Sequence, residues 1–286
     1  MTDIQAIALA LLQGVSELFP ISSLGHTILL PALLHWNNIK RDDPTFLAFV
    51  VVLHLGTAVA LLIYYRAQWW AIARAVVASV VRGNLSADRD ERIGWLLVVG
   101  TIPVGILGVL LEHSVRALFG SPAAVSVFLA TNGLVMFAGE ALRRRQRAVV
   151  GRGDRPIETL SYLQSVLVGF AQSFALLPGI SRSGASMVAA LLCDLDHEDA
   201  ARYSFLLATP VIFAAGVLEI PKLWAPGAHV VAVQAAMGSI VAAIAAYFSV
   251  AFLTRYFKHN DLRPFGWYCV VTGVVCFILT RMGALT

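Results

Sequence analysis

"SELFPISSLGH", residues 16–26, interrupts a hydrophobic run with an acid (Glu17), a proline (Pro20), two serines (Ser22, Ser23), a glycine (Gly25) and a histidine (His26). The apolar segments on either side, 4–19 and 24–35, would join into one over-long helix without that break. Each alone is short against the roughly 20 residues of a bilayer crossing. The same form returns at 160–177 and 184–195, broken by Pro178 and Gly179. Short hydrophobic segments interrupted by Pro or Gly at corresponding places predict re-entrant or discontinuous helices. Irregular backbone is tolerated at membrane depth only where it is buried in protein or lines a wet cavity.

Around the two broken pairs lie six apolar segments long enough to span, near 45–65, 93–112, 122–142, 200–220, 230–253 and 265–281. With 58% hydrophobic and 13% charged residues, the 286-residue chain excludes a soluble globular class. The expected fold is an all-α polytopic membrane protein of about six full transmembrane helices and two re-entrant pairs. The stretch 66–82 sets Arg66, Arg74 and Arg82 around Trp69 and Trp70, which predicts an interfacial helix. Cys193, Cys269 and Cys276 sit in or beside apolar segments and are expected to be free, buried thiols. No charged n-region precedes a cleavage site, so no removable signal peptide is expected.

The broken pairs also resemble each other. Aligned without gaps, Gln5, Gln13, Leu18, Ile21, Ser22 and Gly25 fall on Gln164, Gln172, Leu177, Ile180, Ser181 and Gly184. Apolar composition inflates chance matches, but the shared Gln, Ser and Gly positions favour an internal repeat. One integral membrane domain over 1–286 follows, with a first repeat near 1–142, a basic loop at 143–159 and a second repeat near 160–286.

Charge supplies orientation. If both broken pairs return to the side they enter from, the loops at 66–92, 143–155, 196–202 and 254–264 share one face. That face holds fifteen of the twenty-one Lys and Arg residues, against five on the other. The positive-inside rule makes the first face cytoplasmic and puts both termini outside. The first pair then enters from outside and the second from inside, an inverted-topology repeat.

One basic residue escapes that division: Arg182, in "LLPGISRSGAS" (176–186). An arginine at membrane depth needs an anionic partner, either a carboxylate or a ligand phosphate, and its guanidinium suits bidentate phosphate contact. A structural ion pair with Glu17 is the simpler alternative. Gln13 and Glu17 are four apart and share a helix face. A carboxylate at this depth should be neutral, paired or bound to a cation, and an oxygen-liganded divalent metal is one way to keep it charged. Ser22 and Ser23, like Ser181 and Ser183, are placed to cap new helices. Two helix N-termini meeting from opposite repeats would cradle phosphate oxygens. His26, about one turn after Ser23, could orient or deprotonate a nucleophilic serine, protonate a leaving group, or attack phosphorus itself. His35, His54 and His113 lack such company and read as structural or interfacial. An anion clamp, a cation site, a nucleophile and an acid/base inside a bilayer fit metal-assisted phosphoryl transfer from a lipid. A transporter or flippase of a phosphorylated polyprenyl lipid is the rival reading, since inverted repeats with broken helices are typical of carriers.

These motifs resemble those of the bacterial undecaprenyl-diphosphate phosphatases, the bacitracin-resistance family, along essentially the whole chain. The first motif reads Gln13, Glu17, Ser22, Ser23, Gly25, His26. The second reads Pro178, Gly179, Ser181, Arg182, Ser183, with Ser186 in a threonine position, and "YSFLLATP" (203–210) is a further family-like segment. The resemblance implies hydrolysis of undecaprenyl diphosphate to the monophosphate carrier and phosphate. It implies a divalent cation, Mg2+ before Ca2+, held by Glu17 and Gln13, and work on the outer side of the bacterial cytoplasmic membrane in cell-wall precursor recycling. It implies catalytic roles for Glu17, Ser23, His26 and Arg182, with Ser22, Gly179, Ser181, Ser183 and Ser186 on the substrate. The expected partners are a polyprenyl diphosphate and membrane lipids, with no nucleic acid and a homodimer left open. Gln13 replaces the Glu of many members, which predicts weaker cation binding, and Leu24 removes a frequent hydroxyl.

Overall fold

In a computed structural model, residues 1–39, 43–85, 88–116, 118, 121–150, 154–221 and 229–285 are described, side chains at 44, 112–116, 150 and 219 excepted. His113 and the charged side chains of Lys40, Arg41, Arg116, Arg152 and Lys222 lie outside the described set. Most of the described residues are helical. They form α1 (Asp3–Ser16), α2 (Ser23–Leu33), α3 (Pro44–Tyr64), α4 (Arg66–Arg82), α5 (Arg89–Arg116) and α6 (Pro122–Val150). They continue as α7 (Tyr162–Ser173), α8 (Arg182–Leu192), α9 (His197–Glu219), α10 (His229–Tyr256) and α11 (Arg263–Arg281).

Six of these, α3, α5, α6, α9, α10 and α11, are long and apolar enough to cross a membrane, matching the six segments read from the sequence. The chain is an all-α polytopic membrane protein. The four helices flanking the two breaks have 14, 11, 12 and 11 residues. At about 1.5 Å per residue none spans a hydrocarbon core of roughly 30 Å. The helix predicted at 66–82 is present with those bounds, stopped by Gly83 in the left-handed conformation (φ 68°). All three cysteines are free and buried.

The two broken pairs begin and resume alike. Thr2 caps α1 in a reciprocal box with Gln5, and Ser161 caps α7 in the same box with Gln164. Ser22 caps α2 through Gly25 N–H, and Ser181 caps α8 through Gly184 N–H. Each pair of equivalents is separated by the same number of residues, so a single alignment explains four caps.

Packing follows the same plan. α1 lies on α10, α7 lies on α5, α3 packs on α10 and α9, and α6 packs on α11. Small residues let the backbones approach. A Cβ at Gly169 on α7 would sit 1.9 Å from Gly100 O on α5, and one at Gly14 on α1 would sit 2.3 Å from Ala242 O on α10. Such close approach is how helices associate where lipid removes the hydrophobic drive between them. The apolar interior forms two clusters, one around Tyr203, Phe205 and Leu61 and one around Phe49 and Leu53.

Candidate active site

The site forms where the two breaks touch. α1 ends at Ser16, and Glu17 follows as its cap, its N–H still bonded to Gln13 O. The chain resumes at Ser22, whose φ of +69° is uncommon for a residue with a side chain. The second break runs through one 3₁₀ turn at Phe174–Leu176 and Gly179 (φ +114°) before Ser181 starts α8.

Ser22 Oγ accepts from Gly179 N–H at 3.2 Å as well as from Gly25 N–H at 3.2 Å, so one hydroxyl ties both breaks and holds its own strained backbone. Asn132 on α6 does the same from the other side. Its Nδ2 donates to Pro20 O in the first break and its Oδ1 accepts from Ser181 N–H in the second, both at 3.0 Å. Ser183 Oγ donates to Phe19 O at 3.3 Å. The N-termini of α2 and α8 thus converge, each with first-turn N–H groups that a helix leaves without an internal partner.

Glu17 is the hub. Its Oε1 accepts from Arg182 Nη2 at 3.1 Å and from Nε at 3.4 Å. Its Oε2 accepts from Gln13 Nε2 at 3.0 Å and from the Ser23 hydroxyl, and lies 3.1 Å from His54 Nε2. The ion pair weighed against a ligand contact for Arg182 is therefore present, yet it uses only part of the guanidinium. Arg182 Nη1 and Gln13 Oε1 are buried without a partner. Orphaned polar atoms beside a charged pair are costly, and a ligand oxygen or a cation is what they lack.

Several expected residues stand differently. His54, read as structural or interfacial, touches Glu17; its apolar helix hid a contact that folding makes across the α1–α3 seam. His26 is not hydrogen-bonded to Ser23. Its Nδ1 faces Ser22 O at 2.8 Å and its Nε2 meets the Tyr268 hydroxyl at 2.7 Å, with the two rings stacked. Ser186 points away from the break, bonding to Arg182 O at 2.8 Å and to Ser204 Oγ on α9 at 2.7 Å. Ser181 is occupied as a cap and by Ser183. Gly179 contributes its N–H to Ser22. Sequence reading missed His54, Asn132 and Tyr268; a lone amide or imidazole inside an apolar span was the available signal for the first two.

Among the described residues no three His, Cys, Asp or Glu side chains group together as a metal cage. Gln13 Oε1, the Glu17 carboxylate and Ser23 Oγ are hard oxygen donors of the kind Mg2+ takes when phosphate and water complete its shell. They fit a cation that arrives with a phosphorylated ligand.

Taken together, the residues present a hydroxyl on a carboxylate, an arginine with an unused N–H face and two helix N-termini, all enclosed by apolar helices. That arrangement can bind a phosphate and direct an oxygen nucleophile at it. The comparisons agree. An undecaprenyl-diphosphatase 2 of Chromobacterium violaceum is 47% identical, over 96% of this chain and 98% of its own length. An undecaprenyl-diphosphatase of Acidiphilium cryptum is 45% identical, over 99% and 100%. An undecaprenyl-diphosphatase 2 of Frankia alni is 40% identical, over 97% and 98%. The profile of the bacitracin resistance protein BacA matches residues 6–275, and the chain belongs to that family.

Proposed function

We propose that this protein hydrolyses undecaprenyl diphosphate to undecaprenyl phosphate and inorganic phosphate, returning the lipid carrier to cell-wall synthesis. The relatives' names carry the substrate. The observation that carries the chemistry is the Ser23 hydroxyl donating to Glu17 while Arg182 braces the other carboxylate oxygen.

In this mechanism the terminal phosphate enters at the N-termini of α2 and α8. Arg182 turns its free Nη1 face to the phosphate oxygens, which loosens its hold on Glu17 Oε1. The carboxylate is then the stronger acceptor for the Ser23 proton. Ser23 Oγ attacks the terminal phosphorus as its proton passes to Glu17, the anhydride P–O bond breaks, and Glu17 hands that proton to the departing undecaprenyl phosphate, which returns Glu17 to the carboxylate form. Water then attacks the phosphoserine, gives a proton to the leaving Ser23 oxygen by way of Glu17, and frees inorganic phosphate. His26 is engaged on both ring nitrogens, which supports Ser23 over His26 as the attacking group. A divalent cation, Mg2+ before Ca2+, would be held by Glu17 and Gln13 Oε1 and would neutralise phosphate charge as the anhydride opens.

The setting we propose is the bacterial cytoplasmic membrane, multi-pass, with basic loops inside and the site open to the outer side. The matched caps at Thr2 and Ser161, and at Ser22 and Ser181, support two inverted repeats in one domain. The test is phosphate release by the detergent-solubilised protein given farnesyl diphosphate and magnesium. Release supports the hydrolase. Binding of the diphosphate without release would favour a carrier of the phosphorylated lipid.

A further inference from the structure

Three elements deliver donors to one oxygen of Glu17. Gln13 comes from α1, Ser23 from α2, and His54 from the middle of α3. The histidine's own orientation is fixed from behind: its Nδ1 lies 2.7 Å from Val50 O, one turn earlier on the same helix. A carbonyl has no hydrogen to give, so Nδ1 carries one. The 3.1 Å contact between Nε2 and Glu17 Oε2 is a hydrogen bond when Nε2 carries a second hydrogen, donated to the carboxylate. Val50 O, the imidazole and the carboxyl thus make a fixed line from the α3 backbone to the Ser23 hydroxyl.

We propose that His54 is a positioning residue for the hydrolysis, the anchor that keeps Glu17 Oε2 aimed at Ser23 when Arg182 turns to the substrate. This rests on the reading of Ser23 and Glu17 as the attacking pair. Besides the Ser23 hydroxyl the carboxylate has three braces, and one of them, Gln13 on Oε2, comes from the helix that Glu17 itself ends. Arg182 holds Oε1, and a diphosphate competes for it, because Nη1 is already without a protein partner. His54 holds Oε2 with a ring whose far nitrogen is committed to the backbone. Without His54, only the neutral Gln13 amide of the same helix would oppose the pull of the guanidinium toward the phosphate, and the carboxylate would lose its aim at the serine. Thr57, one turn further along α3, has a buried hydroxyl without a partner, so the polar face of α3 continues past His54.

The experiment compares His54→Leu and His54→Gln in detergent, with farnesyl diphosphate and magnesium, reading kcat, KM and melting temperature. His54→Leu is expected to lower kcat by roughly 10- to 100-fold, the worth of one hydrogen bond to a charged group, with KM within about threefold. His54→Gln, whose amide N–H can reach Oε2, is expected to recover kcat to within about fivefold of the wild type. If His54→Leu does not fold, His54→Met keeps the bulk without a donor and carries the same expectation. Wild-type kcat in the Leu or Met variant overturns the inference. So does a Gln variant as slow as Leu, for then only shape at position 54 matters. An inactive wild type would instead overturn the hydrolase reading beneath it.

Discussion

Arg182 Nη2 and Glu17 Oε1 meet at 3.1 Å although 165 positions separate the two residues, and both side chains are about nine-tenths buried or more. The pair joins the two breaks electrostatically where Ser22 and Asn132 join them by hydrogen bonds. Removing one partner strands the other charge, a loss of roughly 3–5 kcal/mol for a buried pair. Glu17→Ala and Arg182→Ala are each expected to abolish phosphate release. His54 still counterbalances Glu17 in the second variant, so that protein should fold. Size-exclusion profiles and melting temperatures beside activity check both halves. Arg182→Lys should not rescue, because a point ammonium cannot brace Glu17 and bind phosphate at once; near-normal turnover in any of the three would remove the site.

Asn132 spans the junction with two hydrogen bonds, to Pro20 O and from Ser181 N–H. Asn132→Ala leaves the buried Ser181 N–H unpaired, at a cost of about 1–3 kcal/mol, and leaves Pro20 O with only the weak donation of the Cys269 thiol at 3.8 Å. A clear fall in melting temperature is expected, together with lost activity. An unchanged melting temperature would show that the breaks hold each other without α6.

Gln13→Ala removes a neutral oxygen donor and one hydrogen bond to Glu17. A milder loss than at Glu17 is expected, seen as a higher magnesium concentration for half-maximal activity. Gln13→Glu adds an anionic ligand and should lower that concentration. Identical magnesium titrations across the three proteins would take position 13 out of the cation site.

Tyr268→Phe frees His26 Nε2 without touching Ser23 or Glu17. One neutral hydrogen bond is worth about 1 kcal/mol, so turnover should fall no more than about fivefold. A loss near 100-fold in kcat would place the Tyr268–His26 pair in the chemistry instead.

Local signals carried the architecture. Pro20, Pro178 and Gly179 marked breaks, hydropathy gave six spans, and Ser22 and Ser181 announced helix starts that the structure holds. Glu17 and Arg182 stood out because charge inside apolar sequence demands an explanation. The remaining members were illegible for a physical reason. His54, Asn132 and Tyr268 act across helix seams, and helical periodicity gives a residue's face but not the neighbour that face meets. His26 was read beside Ser23 from nearness. Three residues from Ser23 it shares a helix face, but the carbonyl of Ser22 and the hydroxyl of Tyr268 turn its ring toward α11. Ser186 likewise has a partner that spacing does not reveal, Ser204 on the neighbouring α9.

The central claim is that Ser23 attacks phosphorus with Glu17 taking its proton. Turnover of a diphosphate labelled on the terminal phosphate, quenched with denaturant at mildly alkaline pH where a phosphoryl imidazole also survives, followed by peptide mass spectrometry, tests it directly. The account predicts an acid-stable phosphoryl group on Ser23. A phosphoryl group on the imidazole of His26 would contradict it.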